Sequence, residues 1–179
     1  MQENMVVPLL WNPSETIVPI DFADATILQK RLKIGEFRDL RENKQEIGRN
    51  VEKRYTNKPR LVTTKDDAAA WFKHRFEAAL AEFLMAPLKE NGDILLSTDI
   101  LNFYVVESNR YRADITLKVT LQSASSAAVL WEGTVTGRSD NWGASFKAGN
   151  YQEGLSNATL SAIQGLLSSD SFKKSFLVK

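Results

Sequence analysis

Tyr111-Arg-Ala-Asp-Ile-Thr-Leu-Lys-Val-Thr-Leu121 alternates without a break. Tyr111, Ala113, Ile115, Leu117, Val119 and Leu121 fall on one side, and Arg112, Asp114, Thr116, Lys118 and Thr120 on the other. A strand with period 2 puts such sets on opposite faces, so this stretch belongs to a sheet with one buried and one wet face. Downstream, Ala127 to Thr136 repeats the pattern, with Val129, Trp131 and Val135 inward. Ser123 to Ser126 reads as the hairpin between the two. Upstream, Ile94 to Val106 is apolar and β-rich, but its alternation changes phase near Asp99-Ile100, as a bulge would make it do.

Two segments change to helical spacing. Between Lys65 and Ala86, Ala69, Phe72, Phe76, Ala79, Leu80 and Phe83 form one stripe. Thr63 or Thr64 can cap its start, Asp66 and Asp67 suit the positive helix end, and Pro87 and Gly92 stop it. Tyr151 to Ser169 carries a second stripe of Tyr151, Leu155, Ala158, Ala162 and Leu166. Leu28 to Phe37 reads as a first strand. Arg38 to Arg60 mixes many cations and acids, and reads as a solvated loop or long hairpin. The expected fold is α+β: a mainly antiparallel sheet of about four strands with two helices on one face, in the order β-(loop)-α-β-β-β-α. Residues 1–14, broken by Pro8 and Pro13, read as a flexible lead-in or tether, and 15–179 as the single domain.

The 179 residues are 43% hydrophobic and 25% charged with net charge +1, which suits one soluble-type core and gives no global field toward nucleic acid or anionic membrane. Cys is absent, which removes disulfides, thiolate metal sites and cysteine nucleophiles together. His74 is the only histidine and points away from the helical stripe, so it offers neither a metal cluster nor a paired general base. Asp114 and Glu132 sit among Arg112 and Lys118, a pattern for cross-strand ion pairs. Gly133-Thr-Val-Thr-Gly137 lies in a strand and opens no helix, so it makes no phosphate loop. The basic residues between Arg38 and Arg60 are interleaved with acids, and Tyr55 is the one aromatic there, which argues against nucleic acid. No catalytic, cofactor-binding or metal site is expected.

Two features point to partner binding instead. The outward side of the first helix carries Trp71, His74, Ala78 and Met85 where a solvated helix would carry Lys and Glu. Either the lead-in with Leu9, Leu10 and Trp11 folds over it, or another protein or a second copy docks there. Trp142 and Phe146 add aromatics in a polar loop read as Gly137 to Asn150.

A run of short motifs is distinctive: Ile34-Gly-Glu-Phe-Arg-Asp-Leu-Arg41, Ile47-Gly48, the helix from Asp67 to Leu84, Gly92, Leu101 and Val105, Arg110-Tyr111, Trp131 with Gly137, and Leu166-Leu167. Through these the chain resembles the YajG family of bacterial outer-membrane lipoproteins over about Thr16 to Ser169. The resemblance implies a periplasm-facing module, with an Asp39/Arg41 turn as its most recognisable polar feature. It also implies that membrane attachment runs only through an N-terminal lipid anchor, whose cysteine and secretion signal do not lie in this chain. An accessory or binding role is the expectation. A small-molecule or lipid binder with a pocket between sheet and helices is the alternative.

Overall fold

The computed structural model describes residues 4–52, 58–143 and 145–177. The elements run β1 (Met5–Val6), α1 (Phe22–Arg31), β2 (Leu32–Asp39), β3 (Glu46–Asn50), β4 (Arg60–Thr63), α2 (Ala68–Phe83), β5 (Ile94–Glu107), β6 (Arg110–Ser123), β7 (Val129–Trp142), α3 (Ala148–Leu167) and α4 (Asp170–Lys174). The expected four-stranded, mainly antiparallel sheet with two helices is overturned. Among the described residues the sheet has seven strands and is mixed, and four helices accompany it.

The antiparallel half follows the alternation. β5 pairs with β6 from Ile94↔Ser123 to Glu107↔Tyr111, and β6 pairs with β7 from Arg110↔Trp142 to Gln122↔Val129. The phase change in β5 is a bulge between Ile100 and Asn102, and Leu101 is its extra, exposed residue. The wet face holds cross-strand ion pairs, Arg138–Asp114 at 2.9 Å and Lys118–Glu132 at 3.2 Å. β7 runs on to Trp142, so the polar loop expected from Gly137 begins later.

The other half joins β2, which overlaps the strand expected from Leu28 to Phe37 but starts at Leu32, to β3 and β4 from residues expected mostly to be loop and to β1 from the expected lead-in. β2 and β3 both pair parallel to the same edge of β5, end to end: β2 along Ile94–Ile100 and β3 along Val105–Glu107. β4 joins β3 antiparallel, and β1 joins β4 in parallel. β3 and β4 are short, and charged residues flank them, so pairing overrides composition there. Residues 53–57 of the expected loop, with Tyr55, lie outside the described residues. Leu28 is not in a strand but in α1. Asp21 caps that helix by accepting from the Ala23 N–H at 2.9 Å, with Asp24 in its first turn and Lys30 and Arg31 in its last.

α2 and α3 cover the face that carries Tyr111, Ala113 and Ile115. Phe72 and Phe76 of α2 are fully buried against Phe103 and Phe37, with ring centroids 4.9 Å and 5.4 Å apart. Each such ring contributes roughly 1.5–3 kcal/mol by leaving water. α3 approaches β7 so closely that a Cβ at Gly137 would lie 1.9 Å from the Ala158 carbonyl oxygen, so only glycine fits. α4 and the turn after it pack Phe172 against Phe176 and against Trp131, with the Trp131 indole N–H donating to Ser171 Oγ at 3.1 Å.

From Asn4 onward, the lead-in lies packed on the domain. Val7 is fully buried and Leu9 nearly so. The Val7 N–H donates to the Thr63 carbonyl at 2.8 Å and the Leu9 N–H to Asp66 at 2.7 Å.

Candidate partner-binding surface

The residues expected on the two partner-binding features lie in three places. Trp71 is half-buried: its ring lies 6.0 Å from Trp11 of the lead-in and 5.5 Å from Phe103 of β5. The lead-in therefore covers it, and its side chain reaches back to the sheet. His74 and Ala78, one and two turns further along α2, remain exposed. They line an open groove of about 700 Å³ with Lys33 and Ile34 of β2, Glu77 and Ala81 of α2, and the Pro87–Glu90 turn. Met85, 62% exposed with φ +55°, ends the helix just beyond.

The groove has a second wall that sequence reasoning did not supply. β2 pairs with β5 along one edge, and its other edge has no strand partner among the described residues. An unpaired strand edge presents main-chain donors and acceptors to any extended segment that comes alongside. The free edge, the small Ala78 and Ala81 opposite it, and mixed charge from Lys33, Glu77, Lys89 and Glu90 give a channel that a backbone can enter.

Trp142 and Phe146 sit at another end of the sheet. Trp142 closes β7 and is 76% exposed, with the Arg110 guanidinium 4.4 Å from its ring. Phe146 is half-buried beneath the Arg60 guanidinium at 3.7 Å and holds φ +45°, a conformation that bulky residues avoid. Glu107, fully buried at the end of β5, explains how that conformation is held. Its carboxylate accepts from the Phe146 N–H at 2.8 Å and from the Tyr151 hydroxyl at 2.6 Å. Burial first, and donation to Glu107 second, raise the Tyr151 phenol well above its ordinary range, so it stays a donor. Trp142 and Phe146 thus differ: one is displayed at the end of β7 and the other clamped.

Asp39 and Arg41 occupy the seam where β5 changes partner from β2 to β3. Both side chains are nearly buried, 8% and 7% exposed, and bonded at 2.7 Å. Arg41 also donates to the carbonyls of Lys44, Glu46 and Phe103, the last on the stretch of β5 that neither parallel strand pairs. Burial alone would raise the Asp39 carboxyl. The side-chain and main-chain hydrogen bonds from Arg41 and its positive charge outweigh that and hold it below the ordinary value. The pair organises the sheet and presents no open chemistry. Among the described residues no group of three metal-ligating side chains comes together, and no helix is long and apolar enough to cross a membrane.

No family model matches the chain, and no curated protein matches it in sequence. A solved structure shares its fold. Protein XCC0632 from Xanthomonas campestris, of family DUF330, superposes with TM-score 0.63 at 13% identity over 95% of this chain and 96% of that one. A "putative lipoprotein" from Caulobacter crescentus CB15 gives 0.46 at 16% identity over 60% and 82% of the two chains. PelC from Paraburkholderia phytofirmans, a dodecamer, gives 0.47 at 15% identity over 86% and 93%. At these identities the first likeness is one of fold.

Proposed function

We propose that this chain is the periplasm-facing domain of an outer-membrane lipoprotein of YajG type, a non-catalytic accessory module that binds another protein in the groove between α2 and β2. The observation that carries the binding role is the free edge of β2 beside a groove that exposed Ala78 and half-buried Ala81 line. The envelope location follows from the motif resemblance, with Asp39 and Arg41 as its central polar positions.

A photo-reactive residue at Ala78 should give one dominant adduct in whole cells, while the same residue at Thr134 on the wet face gives none. Ala81→Arg should abolish the adduct. Equal labelling from both positions would sink the reading, and recovery of the natural protein in the cytosolic fraction would remove its envelope location. The groove volume of about 700 Å³ also favours the second reading, a bound small molecule or lipid, because ligand sites commonly span about 300–1,000 Å³. Native mass spectrometry of protein purified from cells should then show a bound species that Ala81→Arg loses.

A further inference from the structure

α3 carries a row of polar residues where a buried helix would carry apolar ones: Gln152, Ser156 and Asn157, all buried. They turn away from the sheet-facing stripe and read the main chain of residues 8–15. Gln152 donates to the Pro8 carbonyl at 2.9 Å, Ser156 Oγ accepts from the Asn12 N–H at 3.0 Å, and Asn157 Oδ1 accepts from the Ser14 N–H at 2.9 Å. Asn157 also donates to Ser14 Oγ at 2.9 Å, and that hydroxyl donates to Glu153 at 2.6 Å. On the opposite wall Asp66, beside the α2 N-terminus, takes the Leu9 N–H, and β4 pairs with Met5 and Val6. Val7 and Leu9 fill apolar pockets between these walls. Main-chain reading on two sides plus pockets for alternate side chains is how proteins bind extended peptides.

We infer that the cleft between β4, α2 and α3 is a peptide-binding site, filled here by the chain's own residues 5–15, and that the same segment of a second copy is its occupant in trans. The pockets and the polar row fit this segment residue by residue, so a second copy brings the complete ligand and remakes every contact that it displaces. The link allows the exchange. Among the described residues the main chain of residues 16–19 has no hydrogen-bond partner, Val18 is 62% exposed, Ile17 alone of this link packs partly against the core, and the Ile20 N–H then reaches the Phe83 carbonyl at 3.2 Å. Exchange of an identical element costs only the association itself and grows with concentration.

The absence of cysteine makes the test unambiguous. Ser14→Cys and Glu153→Cys lie across the strap–α3 contact. In one full-length chain the two should cross-link with a short bismaleimide, which confirms that the strap docks. Chains carrying one cysteine each, mixed and equilibrated at rising concentration, should yield a covalent pair whose fraction rises with concentration. An excess of a synthetic peptide of residues 4–15 should suppress it. A cross-link within the double variant but none between single variants, up to millimolar chain, would overturn the proposal. As a second arm, deletion of Thr16–Val18 shortens the link below what docking within one chain needs. The product should sediment as a dimer, and a folded monomer with the strap docked would equally refute the exchange.

Discussion

Two kinds of ion pair hold this sheet, and they differ in burial rather than in chemistry. On the wet face Arg138–Asp114 bonds at 2.9 Å with its side chains 80% and 54% exposed. At the seam of β5 Arg41–Asp39 bonds at 2.7 Å with both almost out of water. The exposed pair gains little over its solvated partners. The buried pair has no solvent to return to, and Arg41 satisfies three carbonyls besides. Charge therefore serves two ends in one sheet: solubility on the open face, and closure of a gap in the hydrogen-bond ladder at the seam.

The largest effect should come from Arg41→Ala. It strands Asp39 and leaves the Phe103 carbonyl without its donor, so urea unfolding should show a loss of about 3–5 kcal/mol. A loss below about 1 kcal/mol would erase the distinction between the two pairs.

Acid sharpens it. The folded Asp39 carboxyl lies below the unfolded value of about 3.9, so its contribution is present above that pH and is lost as pH falls through the lower, folded value. The stability gap between the natural chain and Asp39→Asn should stay level at pH 5–7 and shrink below pH 4. A gap that widens with acid would contradict the sign.

Tyr151→Phe tests whether burial alone makes a polar contact matter, since Glu107 then loses one donor in a sealed site. We expect about 1–3 kcal/mol of destabilisation, with faster proteolysis after Trp142 as the Phe146 clamp loosens. On the wet face, a double-mutant cycle of Arg138→Ala and Asp114→Ala should return a coupling under about 1 kcal/mol that salt removes. Smallest of all, His74→Gln should move stability by no more than about 0.5 kcal/mol.

How much of this was legible in the sequence divides along the same line. The β5–β6–β7 meander, its bulge and the α2 and α3 stripes follow from periodicity because long elements with one wet face must alternate. β2 was legible from Leu32 to Phe37, whereas β3 and β4 escaped because they are short and flanked by charge, and because Arg41 looks like a surface residue until its carbonyl partners are known. α1 escaped because Leu28, Leu32 and Ile34 suit a strand as well as a helix that hands over to one. The free edge of β2, which makes the groove, depends on strand order, and no local pattern encodes that. The polar row on α3 was readable: Gln152, Ser156 and Asn157 interrupt an apolar helix at positions that share a side. Its cause was hidden, because the lead-in it grips is irregular and broken by Pro8 and Pro13.

The seam in β5 bears on how the chain is made. β2 and β3 do not pair with each other. Each waits for β5, which is synthesised only after α2. Before β5 leaves the ribosome, the nascent chain can form α1, the β3–β4 pair and α2, but it has no central strand to lay them on. Emergence of Ile94–Glu107 then recruits the waiting strands at once, and β6 and β7 add by simple hairpins. Contacts this distant along the chain slow folding. The rate-limiting event should be the capture of β2 by β5, and until then Leu32 and Phe37 are open to any passing chaperone.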